Sequence, residues 1–140
     1  MNIRGLIPQT VPSKVPYIKD ILDESSAGTF ALTETWLNES HLDAETHIKG
    51  YVLFRADRIR KKSSHGRSSG GVAVFVREDY ALTAETIFSY SNGVIESIGV
   101  HISELNLVLI VTYRSPDSTH HRSTAKEFSF FSQQKMRYFL

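Results

Sequence analysis

The sequence predicts an α/β domain, and three observations carry that prediction. Residues 2–6 read as a strand end running into the loop Ile7-Pro8-Gln9-Thr10, followed by Val15, Ile18, Ile21 and Leu22 at helical spacing. Phe30–Thr33 then forms a short apolar strand, so the chain opens β-α-β. Such an opening favours a parallel pair of strands with a covering helix. Further on, Gly71-Val72-Ala73-Val74-Phe75-Val76 is apolar without interruption, which suits a strand buried on both faces.

Local chemistry sets the ends of these elements. Ser13 is placed to cap the first helix, with Pro16 tolerated in its first turn, and Gly28 is expected to stop it. Asn38–Gly50 is polar and reads as loop with a helical turn. Tyr51–Arg55 is a short strand, and residues 56–70 form a basic loop rich in Ser and Gly. Ala81–Phe88 reads as a strand, and Ser91-Asn92-Gly93 is a strong turn signal. Ile95–Ile102 and Leu105–Tyr113 are two more strands, hinged at Ser103-Glu104. Arg114-Ser115-Pro116-Asp117 closes the run, and Phe128, Phe131 and Met136 pattern a stretch that could begin a helix. No internal repeat or interdomain linker is visible.

Composition bounds the function. With 140 residues, 41% apolar and 22% charged, the chain suits one domain, residues 1–140, with a core of its own. Sixteen basic against fifteen acidic residues leave a net charge of +1, so only local clustering can argue for a charged partner. The absence of cysteine excludes disulfides, thiolate metal sites and a thiol nucleophile. No apolar run approaches the roughly 18 residues of a membrane span. Met1-Asn2-Ile3-Arg4 lacks the apolar stretch of a signal peptide. The expectation is a soluble intracellular protein without a membrane partner, nuclear if it acts on DNA.

Candidate site residues cluster at strand ends. In Thr33-Glu34-Thr35-Trp36-Leu37, the Phe30-Ala31-Leu32 run ends in a carboxylate next to the sole tryptophan. A carboxylate held at the end of a buried strand faces the loops where ligands bind in α/β folds, and it suits a hard cation such as Mg²⁺. The plainer alternative is a Glu that marks the strand's exit into solvent. Asn2 sits where the first strand leaves the core and either orients a carboxylate or a phosphate, or forms a turn. Tyr113 ends the apolar run Leu107–Val111 and brings a hydroxyl to the same rim, unless it is an ordinary strand-end tyrosine. Glu96 shares strand parity with Ile98, Val100 and Ile102, so it leans toward the apolar face and needs a partner there. Arg55, Arg58, Arg60, Lys61, Lys62 and Arg67 place six cations against only Asp57, a segment that can meet phosphates or simply be solvated. His120 and His121, near Asp117, read as residues of a flexible loop.

Read together, these stretches resemble the endonuclease/exonuclease/phosphatase superfamily, and most of all the endonuclease domains of non-LTR retrotransposons. The resemblance is carried by Asn2-Ile3-Arg4-Gly5-Leu6 and Leu32-Thr33-Glu34-Thr35-Trp36-Leu37. It continues through Phe54-Arg55-Ala56-Asp57-Arg58, Gly70-Gly71-Val72-Ala73-Val74-Phe75-Val76, Ile95-Glu96-Ser97 and Val111-Thr112-Tyr113-Arg114-Ser115-Pro116, in family order. It implies a four-layer α/β sandwich of two mixed sheets with helices outside. The implied chemistry is phosphoester cleavage with Mg²⁺ (or Mn²⁺), with DNA as the substrate of the retrotransposon type. By resemblance Glu34 is the metal-binding carboxylate, Asn2 helps position the phosphate, Tyr113 contacts the scissile phosphate and Glu96 supports the site. A DNA role for Arg58, Arg60, Lys61, Lys62 and Arg67 rests on charge alone.

The departure from the family is as informative. Its Gly-Asp-Phe-Asn and Ser-Asp-His type motifs are absent, and with them the aspartate that aligns the attacking water and the histidine that stabilises developing charge. Asp117 and His120 follow Pro116 too directly to replace them. The expectation is the N-terminal half of a nuclease domain, a fragment that is catalytically incomplete. Two alternatives stand beside it: a non-catalytic nucleic-acid- or protein-binding remnant, and a phosphatase of the same superfamily acting on a phosphoinositide or other phosphoester. A half-domain implies a missing second sheet. The face carrying Val72–Val76, Ile98–Ile102 and Leu107–Val111 is therefore expected to be partly uncovered.

Overall fold

The computed structural model describes residues 1–9, 11–59 and 69–115. Helix α1 spans Val15–Ser25, and its Ile18 and Leu22 are fully buried, as the helical spacing requires. Pro16 lies in the first turn, and the Ser13 Oγ accepts the Val15 N–H at 3.2 Å. The helix ends two residues earlier than expected, at Ser26 in the left-handed conformation, whose N–H reaches the Leu22 carbonyl. Gly28 serves packing instead: a Cβ there would stand 2.7 Å from the Tyr80 ring.

Among the described residues six strands follow the helix: β1 (Thr29–Thr33), β2 (Tyr51–Ala56), β3 (Val72–Arg77), β4 (Ala84–Ser91), β5 (Ile95–Ile102) and β6 (Leu107–Arg114). A short helix, α2 (Glu78–Ala81), lies between β3 and β4, which starts three residues later than its sequence pattern suggests. A 3-10 turn, Ser103–Leu105, makes the hinge between β5 and β6, and Asn106 leaves it at φ 47°.

The strands form two three-stranded antiparallel sheets, ordered β1-β3-β2 and β4-β5-β6. The expected parallel pairing of the first two strands shrinks to a single bridge between Asn2 and Thr33. The reason lies in the chain itself: Arg4 and Gly5 both take positive φ, which breaks the strand geometry, although Gly5 and Leu6 still bond to the Glu34 and Thr35 carbonyls.

Two cores divide the buried side chains. Leu32 and Phe75 face α1 with Ile18, Leu22, Ile3 and Leu6. Val72, Val74 and Val76 face the second sheet and meet Ile98, Val100, Ile102 and Val111. That division explains why β3 is apolar throughout: it is the central strand of a sheet covered on both faces. Among the described residues the layers run helix, sheet, sheet.

The expectation of an uncovered face is corrected for Val72–Val76, Ile98, Val100 and Ile102, which are buried, while β6 keeps exposed apolar side chains. Val72–Val76 and the β5–β6 residues belong to different sheets, and each sheet is the other's cover. The second sheet is built from residues 84–114, and its Ile98, Val100, Ile102 and Val111 are buried against Val72, Val74 and Val76. Exposed apolar surface lies on β6, where Leu107, Val108 and Ile110 are 37%, 37% and 46% accessible.

Candidate active site

Glu34 stands at the end of β1 in a loop held from two sides. The Gly5 and Leu6 N–H groups donate to the Glu34 and Thr35 carbonyls at 2.7 and 2.8 Å. On the other side Thr35 and Trp36 donate their N–H groups to the Gly71 and Gly70 carbonyls at 3.3 and 2.9 Å. Glu34 and Trp36 both sit at φ 57°, a left-handed backbone that costs a residue with a side chain about 1–3 kcal/mol. Four hydrogen bonds from neighbouring segments brace that conformation. Trp36 packs on Gly5, where a Cβ would fall 2.5 Å from the indole, so only glycine fits beneath it.

Tyr113, near the end of β6, donates its hydroxyl to Glu34 Oε1. Burial, then the hydrogen bond to Glu34, push the Tyr113 hydroxyl up to about 12, with Arg58 opposing. At neutral pH it is therefore a neutral donor. Asn2 lies beside this pair through its bridge to Thr33, and its Oδ1 accepts the Arg4 N–H at 3.2 Å.

Behind the rim lies a second carboxylate. Glu96 is fully buried and stands opposite Tyr113 in the β5–β6 register. Arg58 donates Nε to Glu96 Oε1 at 2.9 Å and Nη2 to Oε2 at 3.1 Å, a two-pronged pair. The Gly71 N–H adds a third contact to Oε2 at 3.3 Å. Arg58 Nη1 also donates to Ser69 Oγ at 2.9 Å, and the guanidinium carbon lies 5.9 Å from the Tyr113 ring centre. Arg58 thus points inward at a carboxylate. Arg60, Lys61, Lys62 and Arg67, with Asp117, His120 and His121, lie outside the described residues.

A third acidic group has a structural setting. Arg55 donates Nη2 to the His41 carbonyl at 3.0 Å and lies 3.5 Å from Asp57 Oδ2. Burial raises the Asp57 carboxyl above its ordinary range, against the pull of Arg55 and His41, and its Oδ1 has no partner among the described residues.

The sequence reading singles out Glu34, Tyr113, Asn2 and Glu96, and the fold brings all four to one end of the sandwich. It misses Lys14, whose Nζ donates to the Ile3 and Arg4 carbonyls at 2.6 and 3.1 Å and ties the helix start to the N-terminal loop. It also misses Arg4, exposed in that same loop at φ 47°. Positive φ at Arg4 leaves no trace in composition, since the residue is neither Gly nor Asn, and the Lys14 contacts join segments ten or more residues apart, so neither position carries a readable signal.

Glu34 offers a hard cation one carboxylate. Mg²⁺ is commonly bound through one or two carboxylates with waters completing its shell, so Glu34 fits the role of a single anchor. The described residues hold no group of three or more His, Asp or Glu side chains that would make a closed cage.

Two stacked three-stranded sheets with a helix outside define an α/β fold, and a carboxylate and a tyrosine meet at their common rim. The chain is similar in structure to the human Nocturnin catalytic domain, solved with a bound sulfate anion, at a TM-score of 0.51 and 10% sequence identity. The match covers 86% of this chain and 52% of that one, so this chain spans about half the length of its structural relative. At that identity the likeness establishes the fold. No family model matches the sequence, and no curated protein does.

Proposed function

We propose that the chain carries the metal-binding side of a Mg²⁺-dependent phosphodiesterase site, of the DNA-cleaving type found in non-LTR retrotransposons. The reading includes that the site is catalytically incomplete within these 140 residues, as part of a longer domain. The observation that carries it is the hydrogen bond from Tyr113 to Glu34, two residues 79 positions apart that meet at one rim.

In this reading Glu34 anchors the cation, which when bound polarises a phosphoryl oxygen as a Lewis acid. Tyr113, kept neutral well above physiological pH, has a single O–H. In this reading that O–H passes from Glu34 to a phosphate oxygen once the cation takes the carboxylate, and so orients the substrate. Asn2 flanks the phosphate from the N-terminal segment. Glu96 supports the rim but is itself neutralised by Arg58, so its charge is not available to the cation. The groups that would align water and stabilise the developing charge are absent from the sequence, and with them most of the rate enhancement.

The test combines Mn²⁺ titration with plasmid nicking in Mg²⁺, comparing wild type with Glu34→Gln. Weak Mn²⁺ binding that Glu34→Gln removes, with no nicking by either protein, is the expected result. Mn²⁺ binding indifferent to Glu34 would remove the metal assignment. Nicking that depends on Glu34 would show the site to be complete, against the incomplete reading.

A further inference from the structure

We propose that Arg58 is a positioning residue for this rim. Its guanidinium, locked against Glu96, holds the Tyr113 ring and the Gly70-Gly71 turn, and through them the loop that carries Glu34. The consequence for metal binding rests on the functional reading above; the positioning itself rests on geometry.

Three contacts make the chain of support. Glu96 and Tyr113 are cross-strand partners, so the guanidinium that grips Glu96 is carried to the Tyr113 ring. An arginine within about 6 Å of an aromatic centre is attracted to its face. Next, the Gly70-Gly71 turn leaves no slack over the pair. A Cβ at Gly70 would lie 2.4 Å from Arg58 Nε and 2.6 Å from Glu96 Oε2. Finally, that turn accepts the Thr35 and Trp36 N–H groups that flank Glu34. Moving the guanidinium therefore moves a turn on which the left-handed Glu34-Thr35-Trp36 loop depends. Among the described residues, Arg58 is the cation within ion-pair distance of Glu96.

Charge alone does not do this. A lysine keeps the positive charge but loses the planar two-pronged fork and stacks less well on an aromatic ring. Arg58→Lys therefore separates geometry from charge.

The experiment uses the full chain as wild type, Arg58→Lys, and the apolar pair Arg58→Met with Glu96→Leu. Apolar replacement of both partners commonly preserves folding where removal of one does not. A control, Val100→Ala, loosens the inter-sheet core without touching the rim. Each protein is measured well below its own melting temperature. The first readout is acrylamide quenching of Trp36, the sole tryptophan. The second is Mn²⁺ affinity, with Glu34→Gln as reference.

The expected result is greater Trp36 quenching in Arg58→Lys and in the double variant, but not in Val100→Ala. Mn²⁺ affinity should fall about 10- to 100-fold in the same two proteins, as for other residues that orient a metal ligand. Wild-type quenching in both Arg58 variants would overturn the proposal. So would an equal rise in Val100→Ala, which would mean general loosening. If wild type binds no Mn²⁺, or Glu34→Gln binds it equally, the functional reading fails and the Trp36 measurement alone decides the role of Arg58.

Discussion

Glu34 and Glu96 lie at the same end of the sandwich, and the surrounding structure treats them in opposite ways. Glu96 is fully buried, gripped by Arg58 and met by a backbone N–H, so its charge is cancelled where it stands. Glu34 is half-buried on a left-handed backbone and accepts a neutral tyrosine hydroxyl, with no cation within ion-pair distance among the described residues. A buried carboxylate needs full compensation to be tolerated, whereas one at the rim can keep its charge for a ligand. The difference separates an acidic group compensated inside the fold from one left at the rim, a distinction the side-chain type alone does not make.

The sharpest way to break this comparison is to delete each carboxylate. Glu96→Ala strands Arg58 as a largely buried unpaired charge and should cost about 3–5 kcal/mol. Glu34→Ala loses one partly exposed hydrogen bond to a carboxylate and should cost less, about 1.5 kcal/mol, the low end for a bond to a charged group. Urea unfolding of both variants measures the gap. Equal losses would mean that Glu34 is as structural as Glu96.

A smaller effect probes the turn between them. Gly71 and Gly50 both take positive φ, at 83° and 87°, so alanine strains the backbone alike at either place. At Gly71 the new Cβ would also fall 2.5 Å from Thr35 Oγ1, while at Gly50 nothing lies within 4 Å. Gly50→Ala should cost about 1–2 kcal/mol from backbone strain alone, and Gly71→Ala more. Indistinguishable melting temperatures would show that the turn does not press on the Glu34 loop.

The smallest effect uses Asp57, whose burial is only partly offset by Arg55 and His41. Its folded carboxyl titrates above the ordinary range, so the stability lent by the protonated form is full below that range and lost as pH rises through the folded value. Asp57→Asn removes that loss. The variant should gain on wild type as pH rises from acid to neutral, with the gap closing again in acid. Melting curves from pH 3 to 7 check this, and a gap that widens toward acid would show Asp57 to be well compensated.

Much of this was legible in the residues themselves. Apolar periodicity located α1 and the strands, because the period of 3.6 or 2 is imposed by burial of one face. The unbroken run from Val72 to Val76 announced a strand covered on both sides, and strand parity placed Glu96 toward the interior. Glu34 and Tyr113 stood out because each ends an apolar run. Tertiary structure decided the rest. The β4-β5-β6 meander follows from local turn signals, but its packing face to face on the β1-β3-β2 sheet depends on contacts between distant segments that leave no local mark. That packing buried Val72–Val76, Ile98, Val100 and Ile102 where an open face was expected. The same holds for Arg58, read from charge as a candidate phosphate contact and turned by the fold toward Glu96. A row of cations looks alike in sequence whether it faces solvent or a buried carboxylate, because the partner sits 38 residues away and only folding brings it within reach.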